Sequence, residues 1–174
     1  LPIGQGLSMT VLQMAGMYQA IANDGVRIPP RIISAEIAPD GTRTTTPRPA
    51  GVRVVSPQTA QTVRDMLRAV VQNEPGQRGT GPQAALDGYQ ISAKTGTAQQ
   101  VNPGCGCYSN SSYWITFAGI LPADAPRFVV GIMLDDPAVG SAAPLFHDIA
   151  SYLAGRYQIP LSPGPSPVAI LSLP

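Results

Sequence analysis

Two apolar segments joined by a short proline-bounded link constrain this chain more than any other feature of its sequence. The segments cover residues 113–121 and 128–134, and Pro122 and Pro126 bound the link. Even the unbroken apolar run at 128–134 is far too short to span a membrane. Two strand-like segments separated by five or six residues are typical of a β-hairpin. The chain is therefore expected to build an antiparallel sheet.

A helix is predicted near the start of the chain. Thr10 and Gln13 have the spacing of a capping box, in which each side chain binds the other residue's backbone amide. The helix should end at residues 23–25, where Gly25 tolerates the left-handed backbone of a helix end. Apolar residues at helical spacing form its predicted buried face: Met14, Met17, Tyr18 and Ile21.

Two more helices are predicted further along. Ser56 and Pro57 are typical N-cap and N1 residues of a helix that should end near Asn73, and a third helix is expected at residues 143–157. Short strands are expected at 31–38, 42–46, 52–55 and 89–99, with loops at 74–82 and 101–112. This order of elements predicts an α+β fold in which helices flank an antiparallel sheet.

The end of the chain differs in composition from the rest. Five prolines follow Ile159, so residues 159–174 are expected to form an extended or disordered Pro-rich tail, separate from a folded portion at 1–158. Leu1 is not a start methionine, and no charged segment precedes an apolar stretch. No signal peptide is therefore expected, and the sequence is interpreted as a piece of a longer protein.

Charge and metal-ligand counts exclude several function classes. Eleven Lys and Arg against ten Asp and Glu leave a net charge of +1, so nucleic acid is not an expected partner. His147, Cys105 and Cys107 are too few for a typical four-ligand zinc site. The adjacent carboxylates of Asp135 and Asp136 are interpreted as the solvated end of a strand and not as a pair of metal ligands. No metal and no cofactor are predicted.

The tetrapeptide Lys94-Thr95-Gly96-Thr97 contains the strongest chemical signal. A Lys beside a nucleophilic Ser attracts a substrate carboxylate and assists proton transfer, and the two Thr hydroxyls are suited to bind that carboxylate. Gly96 permits close approach of a substrate backbone, and the amide of Thr97 is a candidate oxyanion donor. Alternatives are a surface Lys in a Thr-rich strand, or a phosphate-binding loop. The loop is disfavoured because Ala93 replaces the Gly that must precede the Lys.

Several other segments raise the specificity of that signal. From residue 2 to about residue 157 the chain resembles class B penicillin-binding proteins, most closely the division-specific transpeptidases of actinobacteria. The resemblance rests on five motifs in order: residues 2–25 with Gly4-Gln5-Gly6, Gly79-Thr80-Gly81, Lys94-Thr95-Gly96-Thr97-Ala98, Phe117-Ala118-Gly119 and Ala142-Ala143-Pro144-Leu145-Phe146.

The resemblance implies a peptidoglycan D,D-transpeptidase that also binds penicillin. A Ser attacks the D-Ala-D-Ala bond of a stem peptide, an amine of a second strand resolves the acyl-enzyme, and β-lactams acylate the same Ser. Lys94 and Thr97 are then catalytic, and Thr95, Gly96 and Thr97 bind substrate. Tyr113 either faces the acyl side chain of ligands or packs in the core. Family members sit outside the cytoplasmic membrane on an N-terminal helix, beside a membrane glycan polymerase and division proteins.

Two motifs of the family are missing from the chain. Neither Ser-x-x-Lys, which carries the nucleophile, nor Ser-x-Asn before the Lys-Thr-Gly motif occurs. The chain is therefore expected to depend on an N-terminal part of the same protein. A D,D-carboxypeptidase, β-lactamase or penicillin sensor of the same fold, or a non-catalytic scaffold, remain alternatives. The segment 135–141 is also shorter than the family's usual loop.

A disulfide between Cys105 and Cys107 is the last expectation. The extracytoplasmic location implied by the resemblance permits disulfides, and the chain offers no other cysteine. Two free thiols are the alternative, because the spacing is tight.

Overall fold

Three long antiparallel strands form the centre of the structure, a computed structural model that describes residues 5–171. The strands are β1 (Val26–Arg27), β2 (Ala35–Ile37), β3 (Arg43–Thr45), β4 (Val52–Arg53), β5 (Asn73–Glu74), β6 (Gln77–Arg78), β7 (Ser92–Asn102), β8 (Cys107–Leu121) and β9 (Phe128–Asp135). The helices are α1 (Val11–Ala22), α2 (Pro57–Leu67) and α3 (Ala143–Arg156), with 3₁₀ turns at Arg68–Val70 and Pro82–Ala84. The predicted α+β class is confirmed.

The central sheet has the order β7-β8-β9. The predicted hairpin between residues 113–121 and 128–134 is confirmed, with Ile115 opposite Leu134 and Leu121 opposite Phe128. On its other side β8 pairs with β7, which places Lys94 opposite Ala118 and Thr97 opposite Ile115. The sheet therefore presents β7 as an edge strand among the described residues.

The prediction of a loop at residues 101–112 is wrong. Here β7 and β8 continue past the end of β9 as a two-stranded ribbon, with Val101 opposite Tyr108 and Asn102 opposite Cys107. A register shift lies between Gln99 and Val101. The ribbon is largely exposed on both faces, so its strands carry polar residues and lack the apolar alternation by which strands are predicted. The strand expected at 89–99 is observed at Ser92–Asn102, and its extension past Gln99 has the same reason.

Helix α1 packs on one face of the sheet, and its capping box is present, with the Gln13 amide 3.1 Å from Thr10 Oγ1. A Cβ on Gly131 would lie 3.4–3.5 Å from Val11, Met14 and Ala15. The helix therefore turns Val11, Met14 and Ala15 toward the sheet. Met17, predicted to be buried, is 55% exposed. The prediction for Met17 is wrong because the buried face of α1 is rotated relative to the face that the apolar spacing indicates.

Helix α2 connects α1 to the sheet through Arg64. The buried guanidinium donates to Ile21 O at 3.2 Å and Ala22 O at 3.4 Å, which satisfies the last carbonyls of α1. Ser92 Oγ of β7 donates to Arg64 O at 2.6 Å. These bonds fix both helices against the strand that carries Lys94.

The prediction that the second helix continues to residue 73 is wrong. It ends at Leu67, and after the 3₁₀ turn the chain folds back so that Gly81 N–H donates to Val70 O at 2.9 Å. The predicted loop at 74–82 contains the short β5–β6 hairpin. A Cβ on Gly79 would overlap the backbone of Ala69 and Val70, so this return requires glycine.

Helix α3 covers the opposite face of the sheet. The Phe146 ring packs on Phe117 with 5.0 Å between ring centroids, and both side chains are fully buried. Buried alanines at 143, 150 and 154 bring the helix close to its neighbours. The helix predicted at 143–157 is confirmed to within one residue.

One short hairpin, one pair of two-residue strands and the tail complete the described chain. The 31–38 segment is strand only at Ala35–Ile37, which pairs with Arg43–Thr45, and the predicted strand at 52–55 is reduced to Val52–Arg53 beside Val26–Arg27. Strand pairs this short bury little apolar surface, so the side-chain pattern overestimates the length of their strands.

The tail is extended and docked. Tyr89 Oη donates to Ile159 O at 2.7 Å, and the Gln90 side chain donates to Gly164 O at 2.9 Å. The side chain of Gln72 exchanges two bonds with the backbone of Ala169, at 2.8 and 2.9 Å. The division between 1–158 and 159–174 stays a prediction.

Across residues 5–171, no helix has the length and apolarity needed to cross a membrane.

Candidate active site

The Lys-Thr-Gly-Thr segment lies on β7, and its side chains alternate between the two faces of the sheet. Lys94 lies opposite Ala118, which is opposite Gly131 on β9, so Lys94 is on the α1 side. Thr97 lies on the α3 side, opposite Ile115. An edge strand presents both sets to a ligand that runs along it.

Gly96 is required by the packing of β7 against β8. It lies opposite Thr116, and a Cβ at position 96 would overlap Thr116 Oγ1. The absence of a side chain at this position also keeps the backbone accessible from the α1 side. The tight contact seen here is with Thr116, and the approach of a substrate backbone to Gly96 stays a prediction.

The backbone of Thr97 points to the open edge of the sheet. The side chain of Gln5 binds both the N–H and the C=O of Gln99, each at 3.2 Å, so the peptide groups of Gln99 face away from β8. Because backbone direction repeats every second residue in an antiparallel ladder, the N–H and C=O of Thr95 and Thr97 point the same way. The Thr97 amide is thus positioned for a ligand beside β7.

The hydroxyl of Thr95 has a partner from another segment. Thr80 Oγ1 lies 3.0 Å from Thr95 Oγ1, and the neighbouring Gly81 is buried against Phe117. Sequence reasoning used Gly79-Thr80-Gly81 only as a family motif and missed this contact. Thr80 and Thr95 lie fifteen residues apart along the chain, so no local pattern reports the pairing.

Lys94 is exposed and near the same edge. Its Nζ donates to Thr95 O at 2.8 Å, across the backbone of the strand. The ammonium group therefore lies next to the peptide edge that carries the Thr97 amide. Its hydrogen-bond partner is a backbone carbonyl, so the side chain is free to turn toward a ligand.

Tyr113 lines a cavity of about 330 Å³ beside Thr97. Ile115 and the segment from Pro137 to Gly140 also line this cavity. Tyr113 is half-buried, and its Oη donates to Asn110 O at 3.1 Å. The short segment before α3 therefore contributes directly to the space around Thr97.

The remaining candidates do not join this group. His147 Nδ1 lies 2.6 Å from Ala85 O, which ties α3 to the adjacent loop. Asp135 accepts from Gln100 at 2.8 Å, and Asp136 accepts from the Tyr113 amide at 3.3 Å. Within 5–171, no cluster of His, Cys, Asp and Glu has the geometry to hold a metal ion.

The tip of the ribbon carries a disulfide. The sulfurs of Cys105 and Cys107 are joined, and their Cα atoms are 5.2 Å apart. Gly106 between them has φ of +65°, a backbone conformation that favours glycine. The bridge closes the turn between β7 and β8, away from Thr97.

A sheet edge that carries Lys94 and the Thr97 amide, with helices on both faces of the sheet, is the arrangement expected from the resemblance to penicillin-binding proteins. The model of the penicillin-binding protein transpeptidase domain matches residues 1–151, and the chain belongs to that family. Residues 2–4 of its first motif lie outside the described part.

Named relatives support the same assignment. The chain is 67% identical over 180 aligned residues to penicillin-binding protein PbpB of Mycobacterium tuberculosis, an alignment that covers 98% of this chain and 26% of PbpB. It is 37% identical over 135 residues to the probable peptidoglycan D,D-transpeptidase PenA of Neisseria meningitidis, covering 77% of this chain and 20% of PenA.

A solved structure agrees with the fold. The crystal structure of penicillin-binding protein 3 from M. tuberculosis complexed with ampicillin matches with a TM-score of 0.95 and 66% identity. The match covers 100% of this chain and 40% of that one. The chain spans about a quarter of the M. tuberculosis and Mycolicibacterium smegmatis PbpB relatives.

Proposed function

We propose that the protein containing this chain is a peptidoglycan D,D-transpeptidase. This chain supplies the edge strand that holds the substrate, and the nucleophilic Ser comes from another part of the same protein. The observation that carries the proposal is the position of Lys94 and the outward amide of Thr97 on one edge strand, in a chain of the transpeptidase family.

In the first step, a Ser Oγ attacks the carbonyl carbon of the penultimate D-Ala of a stem peptide. The peptide bond to the last D-Ala breaks, and the leaving amine takes a proton. The Thr97 amide donates to the oxyanion, an interaction that strengthens as charge develops on that oxygen. Lys94 provides positive potential at the Ser and assists proton transfer.

The substrate carboxylate is bound by the hydroxyls of Thr95 and Thr97. Both side chains lie on the α3 side of β7, two residues apart and therefore neighbours on that face. Gly96 leaves the opposite side of the strand open to the reacting carbonyl. Tyr113 borders the cavity beside Thr97, where it contacts the acyl side chain of the ligand.

In the second step, an amine from a neighbouring strand attacks the acyl ester. The ester bond breaks, a new peptide bond forms, and the Ser oxygen recovers its proton. A β-lactam follows only the first step, so the same Ser is acylated and stays blocked.

The remainder of the protein is proposed to carry Ser-x-x-Lys, Ser-x-Asn and a membrane-anchoring N-terminal helix. The site then faces the extracytoplasmic side of the plasma membrane, where stem peptides are exposed. A membrane glycan polymerase and division proteins are the proposed partners, since a polymerase supplies the strands that a transpeptidase joins.

The test incubates the full-length protein with a D-Ala-D-Ala stem pentapeptide and an amine acceptor. Cross-linked product together with free D-Ala supports the proposal. Free D-Ala without cross-linked product identifies a D,D-carboxypeptidase, and turnover of penicillin identifies a β-lactamase. Stable acylation by penicillin without peptide turnover identifies a penicillin sensor, and no acylation identifies a scaffold.

A further inference from the structure

The contact between Thr80 and Thr95 is built from three segments of the chain. Thr80 Oγ1 is 3.0 Å from Thr95 Oγ1. A Cβ on the adjacent Gly81 would lie 3.1 Å from the Phe117 ring and 3.2 Å from Thr95 Cγ2, so a larger residue would push this segment away from β7. On the other side, Gly79 packs on the backbone of Val70. Two close-packed glycines thus hold Thr80 against Thr95.

The chemistry of the two hydroxyls gives the contact a direction. A carboxylate only accepts hydrogen bonds, so a Thr95 hydroxyl bound to it must donate its proton to the ligand. The Thr95 oxygen is then free to accept, and the Thr80 hydroxyl, 3.0 Å away, is placed to donate to it. Without a ligand, either hydroxyl of the pair can be the donor. A hydroxyl that accepts one bond becomes a stronger donor of the next.

We propose that Thr80 is a positioning residue for the carboxylate of the substrate. It donates to Thr95 Oγ1 and orients the Thr95 proton toward the carboxylate, without contacting the ligand itself. The inference rests on the proposed function, because it requires a carboxylate-bearing ligand along β7. It adds to that function a residue outside the Lys94–Thr97 strand.

The test compares Thr80→Val with Thr80→Ser in the full-length protein. Valine keeps the shape of threonine and removes the hydroxyl, and serine keeps the hydroxyl. The rate of acylation by a penicillin should fall about 3- to 10-fold for Thr80→Val, the loss expected for one net hydrogen bond. Thr80→Ser should retain the wild-type rate. The midpoint of thermal unfolding is measured for each variant.

Two further comparisons separate positioning from a structural role. The loss in Thr80→Val should disappear with the methyl ester of the same penicillin, which has no carboxylate. It should also disappear when Thr95 is already valine. Equal losses with acid and ester, additive losses in the double variant, or a wild-type rate for Thr80→Val would each overturn the proposal. If the wild-type protein is not acylated, the proposed function fails instead.

Discussion

Lys94 is the residue whose removal should affect chemistry most, since it is the only lysine in the chain and lies at the open edge of β7. Lys94→Ala in the full-length protein should slow acylation by a β-lactam at least about 10²- to 10³-fold, as expected when one electrostatic donor is lost from an active site. The measurement is the second-order rate of acylation with a fluorescent penicillin.

The matched control is Arg43→Ala. Arg43 is an exposed cation on the β2–β3 hairpin, where it donates to Thr45 Oγ1 at 3.3 Å. Its loss removes the same charge without touching β7, so the rate should be unchanged. Acylation of Lys94→Ala at the wild-type rate would remove Lys94 from the mechanism.

Between secondary-structure elements, the close packing of α3 on the sheet depends on Gly119. A Cβ at this position would lie 2.5 Å from Phe146 Cε2, and the Phe146 side chain is fully buried. Gly119→Ala should therefore destabilise the fold by about 1–3 kcal/mol through overpacking. A lowered midpoint of thermal unfolding would report this.

Gly155→Ala is the control on α3 itself. A Cβ on Gly155 has open space around it, so alanine should be neutral or should stabilise the helix by about 0.5–1 kcal/mol. An unchanged midpoint for Gly119→Ala would contradict the close packing between β8 and Phe146.

The ribbon formed by β7 and β8 should be closed by a disulfide in the purified protein. Trypsin cleaves after Lys94 and after Arg127, so Cys105 and Cys107 fall in one peptide. Without reduction this peptide should be two hydrogens lighter than the dithiol form and should resist alkylation. After reduction it should take two alkyl groups. Alkylation of both thiols without reduction would refute the pairing.

Elements with a buried apolar face were predicted close to their observed bounds, and solvated elements were predicted less closely. The exposed β2–β3 hairpin was predicted from its turn residues, but with strands longer than those observed. The hairpin around Pro122 and Pro126 and the helix beginning at Ala143 follow from apolar pattern and turn residues. The ribbon at 101–112 could not be predicted in this way, because backbone pairing holds its strands together while its side chains are polar. The face of α1 was misjudged because Gly131 on β9 sets its contact, and that contact is not local.

The same distinction applies to the site. The tetrapeptide beginning at Lys94 could be found from sequence because its residues are contiguous. The contacts of Thr80 with Thr95 and of Gln5 with Gln99 join segments 15 and 94 residues apart. Long-range contacts of this kind leave no periodic signal in the sequence.

At the scale of the whole molecule, the chain exposes apolar side chains around α1. Leu12 is 60% exposed and Met17 is 55% exposed, with Leu7 also exposed. Surfaces of this kind usually contact another part of a protein. The isolated chain should therefore be poorly soluble and should become soluble when co-expressed with the N-terminal part of the protein. Full solubility of residues 1–174 alone would contradict this expectation.

The most direct test of the whole account is to locate the serine that penicillin acylates. The full-length protein is labelled with a fluorescent penicillin and digested, and the labelled peptide is identified by mass spectrometry. We predict one labelled Ser, within Ser-x-x-Lys and outside residues 1–174, because the sequence of this chain contains no Ser-x-x-Lys in which a Ser would be activated. A label on any Ser within residues 1–174 would contradict it.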